Sequence, residues 1–114
     1  MSEAALNAEP VRLCSAAEVE EGAMRRIDLP GRPPLAVYNV QGRFYVTDDL
    51  CTHGQSSLAE DGNLEGFTIE CSFHYGSFDI RTGKVIASPC SQALKTYQAL
   101  VKDGAVFADL QSAS

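Results

Sequence analysis

The sequence predicts an all-β domain of many short strands, interrupted by one loop-rich segment. Three observations carry this. Short runs rich in β-branched and aromatic residues are separated by Gly and Pro turn signals. No long stretch has the 3.6-residue apolar period of a helix. Both ends of the domain read as hairpins, which leaves strands to bracket whatever lies between. A chain of 114 residues, 45% of them hydrophobic, is one domain. At that size it buries roughly two-thirds of the surface its unfolded form exposes, enough for a core without disulfides.

The elements follow in order. Residues 1–10 are Ala- and Glu-rich without an apolar period and are expected to form a mobile tail, leaving a single domain over 11–114. Residues 11–14 read as a short strand, with Cys14 at its end as a small buried hydrophobe. Ser15 with Glu18 three residues later has the form of a capping box, opening a short helical turn that stops near Gly22. A further strand at 24–29 precedes a Pro-Gly-Arg-Pro-Pro turn at 30–34. Residues 35–40 and 44–47 around Gln41-Gly42 read as a hairpin. So do 97–101 and 105–108, where Asp103-Gly104 is a strong hairpin signal. Between the hairpins, residues 48–89 are rich in Gly, Ser, Cys and His. Short strands are expected there at 67–70, 77–80 and 85–87, with a turn at 81–84.

Charge narrows the function. Fifteen acidic residues against nine basic ones give a formal charge of −6, which argues against nucleic acid and acidic membrane surfaces as partners. No apolar run approaches the roughly 20 residues of a membrane span. Glu3 and Glu9 stand where an export signal needs a basic start, so a cytoplasmic protein is expected. Its four cysteines are then expected to be reduced or metal-bound. Between residues 44 and 80 there are seven acids and no Lys or Arg. Such a concentration is either a solvated face or a means of steering partners of opposite sign.

Only two histidines occur, and each sits beside a cysteine: Cys51-Thr52-His53 and Cys71-Ser72-Phe73-His74. A thiolate and an imidazole delivered twice make a four-ligand set for zinc or an iron–sulfur cluster. Zinc sites usually pair like with like, whereas here each loop is mixed. Two mixed loops suit a two-iron cluster in which both cysteines hold one iron and both histidines the other. Gly54, Gly66 and Gly76 let the chain fold tightly enough to bring backbone N–H groups to sulfur. Pro89 is placed to close a third loop over the cluster, and Cys90 beside it is expected to be unliganded. Tyr75 either lines an electron exit or packs on its loop. Phe73 and Phe78 read as wrapping, and Asp79 as a turn residue bonded to backbone.

These residues resemble the Rieske-type [2Fe-2S] proteins, in particular the small Rieske ferredoxins of bacterial aromatic ring-hydroxylating dioxygenase systems. The likeness runs from about Val11 to Leu110. It is sharpest at Thr47-Asp48-Asp49-Leu50-Cys51-Thr52-His53-Gly54, Leu64-Glu65-Gly66, Ile69-Glu70-Cys71-Ser72-Phe73-His74-Tyr75-Gly76, Phe78-Asp79, Thr82-Gly83-Lys84 and Lys95-Thr96-Tyr97. Ser72 stands where many relatives have Pro. The resemblance implies a β-sandwich with an inserted cluster-binding subdomain at about 48–89. It implies a [2Fe-2S] cluster on Cys51, His53, Cys71 and His74, with Gly54, Tyr75, Gly76 and Pro89 around it. The expected activity is electron carriage, as a monomer, from an NAD(P)H-dependent flavoprotein reductase to a terminal oxygenase. An oxygenase itself needs a mononuclear iron on two further histidines and a carboxylate, and the chain has no further histidine. Two other readings remain: a zinc-stabilised acidic protein-binding module, and a Rieske-type redox sensor.

The resemblance also bears on the reduction potential. High-potential respiratory relatives place a serine two residues after the second histidine and a tyrosine four after it, and bridge their loops with a disulfide. Here those positions hold Gly76, Phe78, Ser56 and Phe73. The expectation is a potential near the lower end of the Rieske range of about −150 to +300 mV, with Ser77 the main hydroxyl that a small change in loop path would bring to sulfur, raising the potential.

Overall fold

A computed structural model describes residues 10–52, 56–71, 76–87 and 92–112. The tail expected over residues 1–10 lies outside these apart from Pro10. Six strands form the base: β1 (Val11–Ser15), β2 (Met24–Ile27), β3 (Leu35–Val40), β4 (Arg43–Asp48), β9 (Thr96–Lys102) and β10 (Ala105–Asp109). Their spatial order is β1-β10-β9-β4-β3-β2, all neighbours antiparallel. Only Thr96 and Tyr97 of β9 pair with β4, while residues 98–102 pair with β10. The sheet therefore curls on itself at β9.

That curl encloses a lower core of Leu13, Cys14, Val19, Ile27, Leu35, Val37, Val46, Tyr97, Val106 and Ala108. In β1 the register slips between Arg12 and Cys14. This bulge is how the adjacent residues Leu13 and Cys14 both come to be buried. The hairpin of β3 and β4 turns through Gln41 and Gly42, both at positive φ (55° and 83°), as a tight turn matched to strand twist requires. Asn39 secures it, its side chain accepting from Gly42 N (2.9 Å) and donating to Val19 O (2.8 Å). The capping box of Ser15 and Glu18 forms and closes a short 3-10 turn.

A second sheet lies between β4 and β9 in the chain: β5 (Gly62–Glu65), β6 (Thr68–Cys71), β7 (Ser77–Asp79) and β8 (Val85–Ala87), ordered β5-β6-β7-β8 and antiparallel. Preceding it is one turn of helix, α1 (Leu58–Asp61). Neither α1 nor β5 is foreseen from the sequence. The signal for α1 was present, because Ser57 and Glu60 have capping-box spacing, and Ser57 Oγ accepts from Glu60 N at 3.1 Å. Such a short helix is held by packing, with Leu58 fully buried.

Strand β3 joins the two halves. All six of its residues are buried. Leu35 and Val37 face the lower core, while Ala36, Tyr38 and Val40 face an upper core with Leu58, Ile69, Phe78, Ile80, Leu94, Cys51 and Cys71. A near-continuous apolar run is what a strand covered on both faces needs, and the polar Asn39 within it has its side chain bonded. Tyr38 carries its hydroxyl into this interior by bonding Thr47 Oγ1 at 2.9 Å, and burial pushes the phenol far above its ordinary pKa, so it stays neutral.

Candidate metal centre

Two hairpin tips on the upper core place the cysteines. The first rises from an isolated bridge between Leu50 and Ser57, and Cys51 N donates to Ser56 O at 2.9 Å. The second rises from the pair Glu70 and Ser77, and Cys71 N donates to Gly76 O at 2.8 Å. Each cysteine thus opens its loop and closes it with the carbonyl five residues on. Both are nearly inaccessible, Cys51 at 2% and Cys71 at 1% exposure, in the same apolar cluster. Two buried sulfurs in one apolar cluster suit a shared metal group, because a thiolate ligand gains from exclusion of water.

The remaining expected site residues divide as follows. His53, Gly54, His74, Tyr75, Pro89 and Cys90 lie outside the described residues, as do Ser72 and Phe73. Gly76 is described, and its carbonyl accepts from Cys71 N at 2.8 Å. Gly66 is not at the cluster: it makes the turn between β5 and β6 at φ 60°. Phe78 is fully buried as wrapping, and Cys14 lies in the lower core, away from the upper core that holds Cys51 and Cys71. Burial, and secondarily Glu18, push the Cys14 thiol above its ordinary pKa. Asp79 accepts from Arg81 N (2.8 Å) and also pairs with the Arg81 guanidinium (2.9 Å), which holds its carboxyl below the usual range.

Three positions to which the sequence reading gives no bonding role hold the first loop. Asp49, fully buried, is a hub: its N donates to Pro34 O (3.0 Å), its O accepts from Leu58 N (2.8 Å) and Oδ1 accepts from Ala59 N (2.8 Å). Its other oxygen has no hydrogen bond but lies 3.9 Å from Arg26 on β2, which also reaches Glu60 at 3.7 Å. Thr52 Oγ1 donates to Gln92 O at 2.7 Å, tying the first loop to the chain that leads into β9. Ser56 Oγ lies 3.1 Å from Cys71 Sγ, crossing from one tip to the other. Just below, Asp48 accepts from the Tyr97 hydroxyl (2.6 Å) and from Arg32 (3.3 Å), fixing the end of β4.

The run of acids is not one uniform field. Asp48 pairs with Arg32, Asp49 and Glu60 with Arg26, and Asp79 with Arg81. Arg26 and Arg32 are distant in sequence and return to the segment in space, whereas Arg81 sits just beyond its end, two residues from Asp79. Among the described residues Asp61, Glu65 and Glu70 have no such partner, and they sit together on α1, β5 and β6.

A curled β base bearing two cysteine-tipped hairpins defines a metal- or cluster-binding β protein. The Rieske [2Fe-2S] domain matches residues 9–98, and the chain belongs to that family and carries its [2Fe-2S] cluster. The ferredoxin component of the p-cumate 2,3-dioxygenase system of Pseudomonas putida is 47% identical over 88% of this chain and 85% of that protein. The structure of the Sphingomonas yanoikuyae B1 ferredoxin superposes with a TM-score of 0.84 at 48% identity, over 89% of this chain and 98% of that one. A chain in the complex of reduced oxygenase and oxidized ferredoxin in carbazole 1,9a-dioxygenase gives 0.83 at 43%, over 88% and 92%. No helix among the described residues is long and apolar enough to cross a membrane.

Proposed function

We propose that this chain is a one-electron carrier rather than an enzyme. It takes electrons from an NAD(P)H-dependent flavoprotein reductase and passes them to a terminal Rieske oxygenase that hydroxylates aromatic compounds, as a cytoplasmic monomer. Cys51 and Cys71 hold one iron of the cluster, His53 and His74 the other, with Gly54, Tyr75, Gly76 and Pro89 packed around them. The observation that carries this reading is near full-length correspondence with a dioxygenase-system ferredoxin, at 47% identity, supported by the likeness to a ferredoxin–oxygenase complex. The mixed cysteine and histidine loops favour it over a zinc-stabilised module.

The cluster supplies a one-electron couple. The chain's part is to keep water from sulfur and to hold the ligands in one geometry in both oxidation states. Ile69, Phe78 and Leu94 wall the cysteines on the interior side. Asp49, bonded to Pro34, Leu58 and Ala59, ties the start of the first loop to the turn before β3 and to α1. A rigid donor set needs little reorganisation per electron, which suits rapid relay.

Iron and acid-labile sulfide analysis tests the assignment. Two irons and two sulfides per chain are expected, with cluster loss on replacing any one of the four ligands. His74→Ala retaining full iron and an unchanged reduced-state EPR spectrum refutes the ligand set. Reduction by a candidate reductase followed by transfer to a candidate oxygenase tests the role.

A further inference from the structure

We propose that Ser56 sets the reduction potential, by donating its hydroxyl across the site to the sulfur of Cys71. The proposal rests on Cys71 being a cluster ligand. Ser56 Oγ and Cys71 Sγ are 3.1 Å apart, a separation at which either atom can donate while the sulfur bears a proton. A metal-bound thiolate has none, so the direction becomes O–H to sulfur. A hydrogen bond to a cluster sulfur strengthens as the cluster gains negative charge, which favours the reduced state.

The hydroxyl is not placed by chance rotation of a surface side chain. The Ser56 carbonyl closes the first loop by accepting from Cys51 N at 2.9 Å. Its neighbour Ser57 is fixed twice, in the bridge to Leu50 and as the cap of α1. The Ser56 backbone is therefore held from both sides, and its half-buried side chain spans to the second tip. At the position where high-potential relatives carry half of a covalent bridge between loops, this chain links the same loops by a hydrogen bond. The expectation of a low potential rests on the missing hydroxyls at Gly76 and Phe78 and on Ser56 standing where those relatives have a cysteine. A donor at 56 moves the potential up from that expectation.

The test compares midpoint potentials of the cluster-loaded protein and of Ser56→Ala, Ser56→Thr and Ser56→Val by protein-film voltammetry. Ser56→Ala is expected to keep two irons and two sulfides and to be about tenfold harder to reduce, which for a one-electron couple is a midpoint lower by about 59 mV. Threonine retains the hydroxyl and should stay near the native value, while valine, of similar shape, should fall with alanine. The threonine and valine pair decides the matter if alanine fails to load. Equal midpoints for threonine and valine, or an unchanged midpoint in a fully loaded Ser56→Ala, overturn the proposal. Cys71→Ala separates the two levels of the argument. Retention of a native EPR spectrum there refutes the ligand itself, whereas its loss alongside an unmoved Ser56→Ala midpoint refutes only the role of the serine.

Discussion

Among the described glycines whose surroundings are resolved, Gly83 is where an added methyl group meets the closest backbone atom. It lies in the turn between β7 and β8 at φ 80°, its N donating to Asp79 O (2.7 Å) and its O accepting from Leu94 N (2.8 Å). A Cβ built there overlaps the carbonyl oxygen of Leu94 and stands 3.0 Å from its carbonyl carbon and 3.2 Å from Thr96 Cγ2. These obstacles are mostly backbone, so they cannot rotate away. Left-handed backbone costs an L-residue about 1–2 kcal/mol. Separating the segments sacrifices the Leu94 hydrogen bond, about 1 kcal/mol net. It also loosens Leu94 in the upper core, and half of a buried leucine truncation adds about 1–2 kcal/mol. The sum for Gly83→Ala is about 3–5 kcal/mol, a large share of the 5–15 kcal/mol typical of a whole domain. At roughly 4 °C per kcal/mol the melting temperature should fall by about 12–20 °C. Gly42→Ala is the control, because φ there is 83° with nothing within 4 Å of the new methyl. It should lose only the backbone component, about 1–2 kcal/mol. Melting of the loaded protein, followed in one sample by far-ultraviolet circular dichroism and by visible absorbance of the cluster, measures both. If Gly83→Ala costs no more than Gly42→Ala, the close approach of Leu94 is not what the glycine accommodates.

Two further outcomes follow from the charges and thiols. The electrostatic one concerns Asp61, Glu65 and Glu70. Replacing them together by Asn, Gln and Gln should slow transfer to reductase or oxygenase at 0.1 M salt and flatten its salt dependence, because the Debye length already shrinks from about 10 Å there to about 3 Å at 1 M. Glu60→Gln, which removes a charge already facing Arg26, should do less; equal effects would show that proximity to Arg26 is irrelevant to steering. Cys14, its thiol raised from an ordinary value of 9.0 by burial first and Glu18 second, favours the protonated fold. That contribution is fully present below pH 9.0 and is lost as pH rises through the higher folded value. At pH 9 iodoacetamide should leave Cys14 unmodified in the native protein and alkylate it in urea, as read by peptide mass spectrometry. Equal rates in the two states refute its burial.

Much was legible in the chain because the deciding interactions are local. Turns such as Gln41-Gly42 and Asp103-Gly104, the capping box at Ser15 and the largely apolar β3 announce themselves through backbone preference and periodicity, and β8 falls at 85–87 as expected. The mixed pairs of cysteine and histidine identify the chemistry, since ligand identity depends on residue type and short spacing rather than on the rest of the fold. What escaped has partners far along the chain. Helix α1 and β5 are too short to be set by propensity and exist because Leu58 and the ladder to β6 bury them. The acids of residues 44–80 look unrelieved in sequence, yet Arg26 and Arg32 of the base come to face Asp48, Asp49 and Glu60, because the chain folds back on itself. Asp49 looks like one more acid and becomes the buried anchor of the first tip. Ser56 and Cys71 stand fifteen residues apart, and only the packing of Cys51 and Cys71 on one core brings hydroxyl and sulfur to 3.1 Å. Residue type along a chain determines which chemistry is possible; through-space contact, which depends on every intervening turn, decides how that chemistry is tuned.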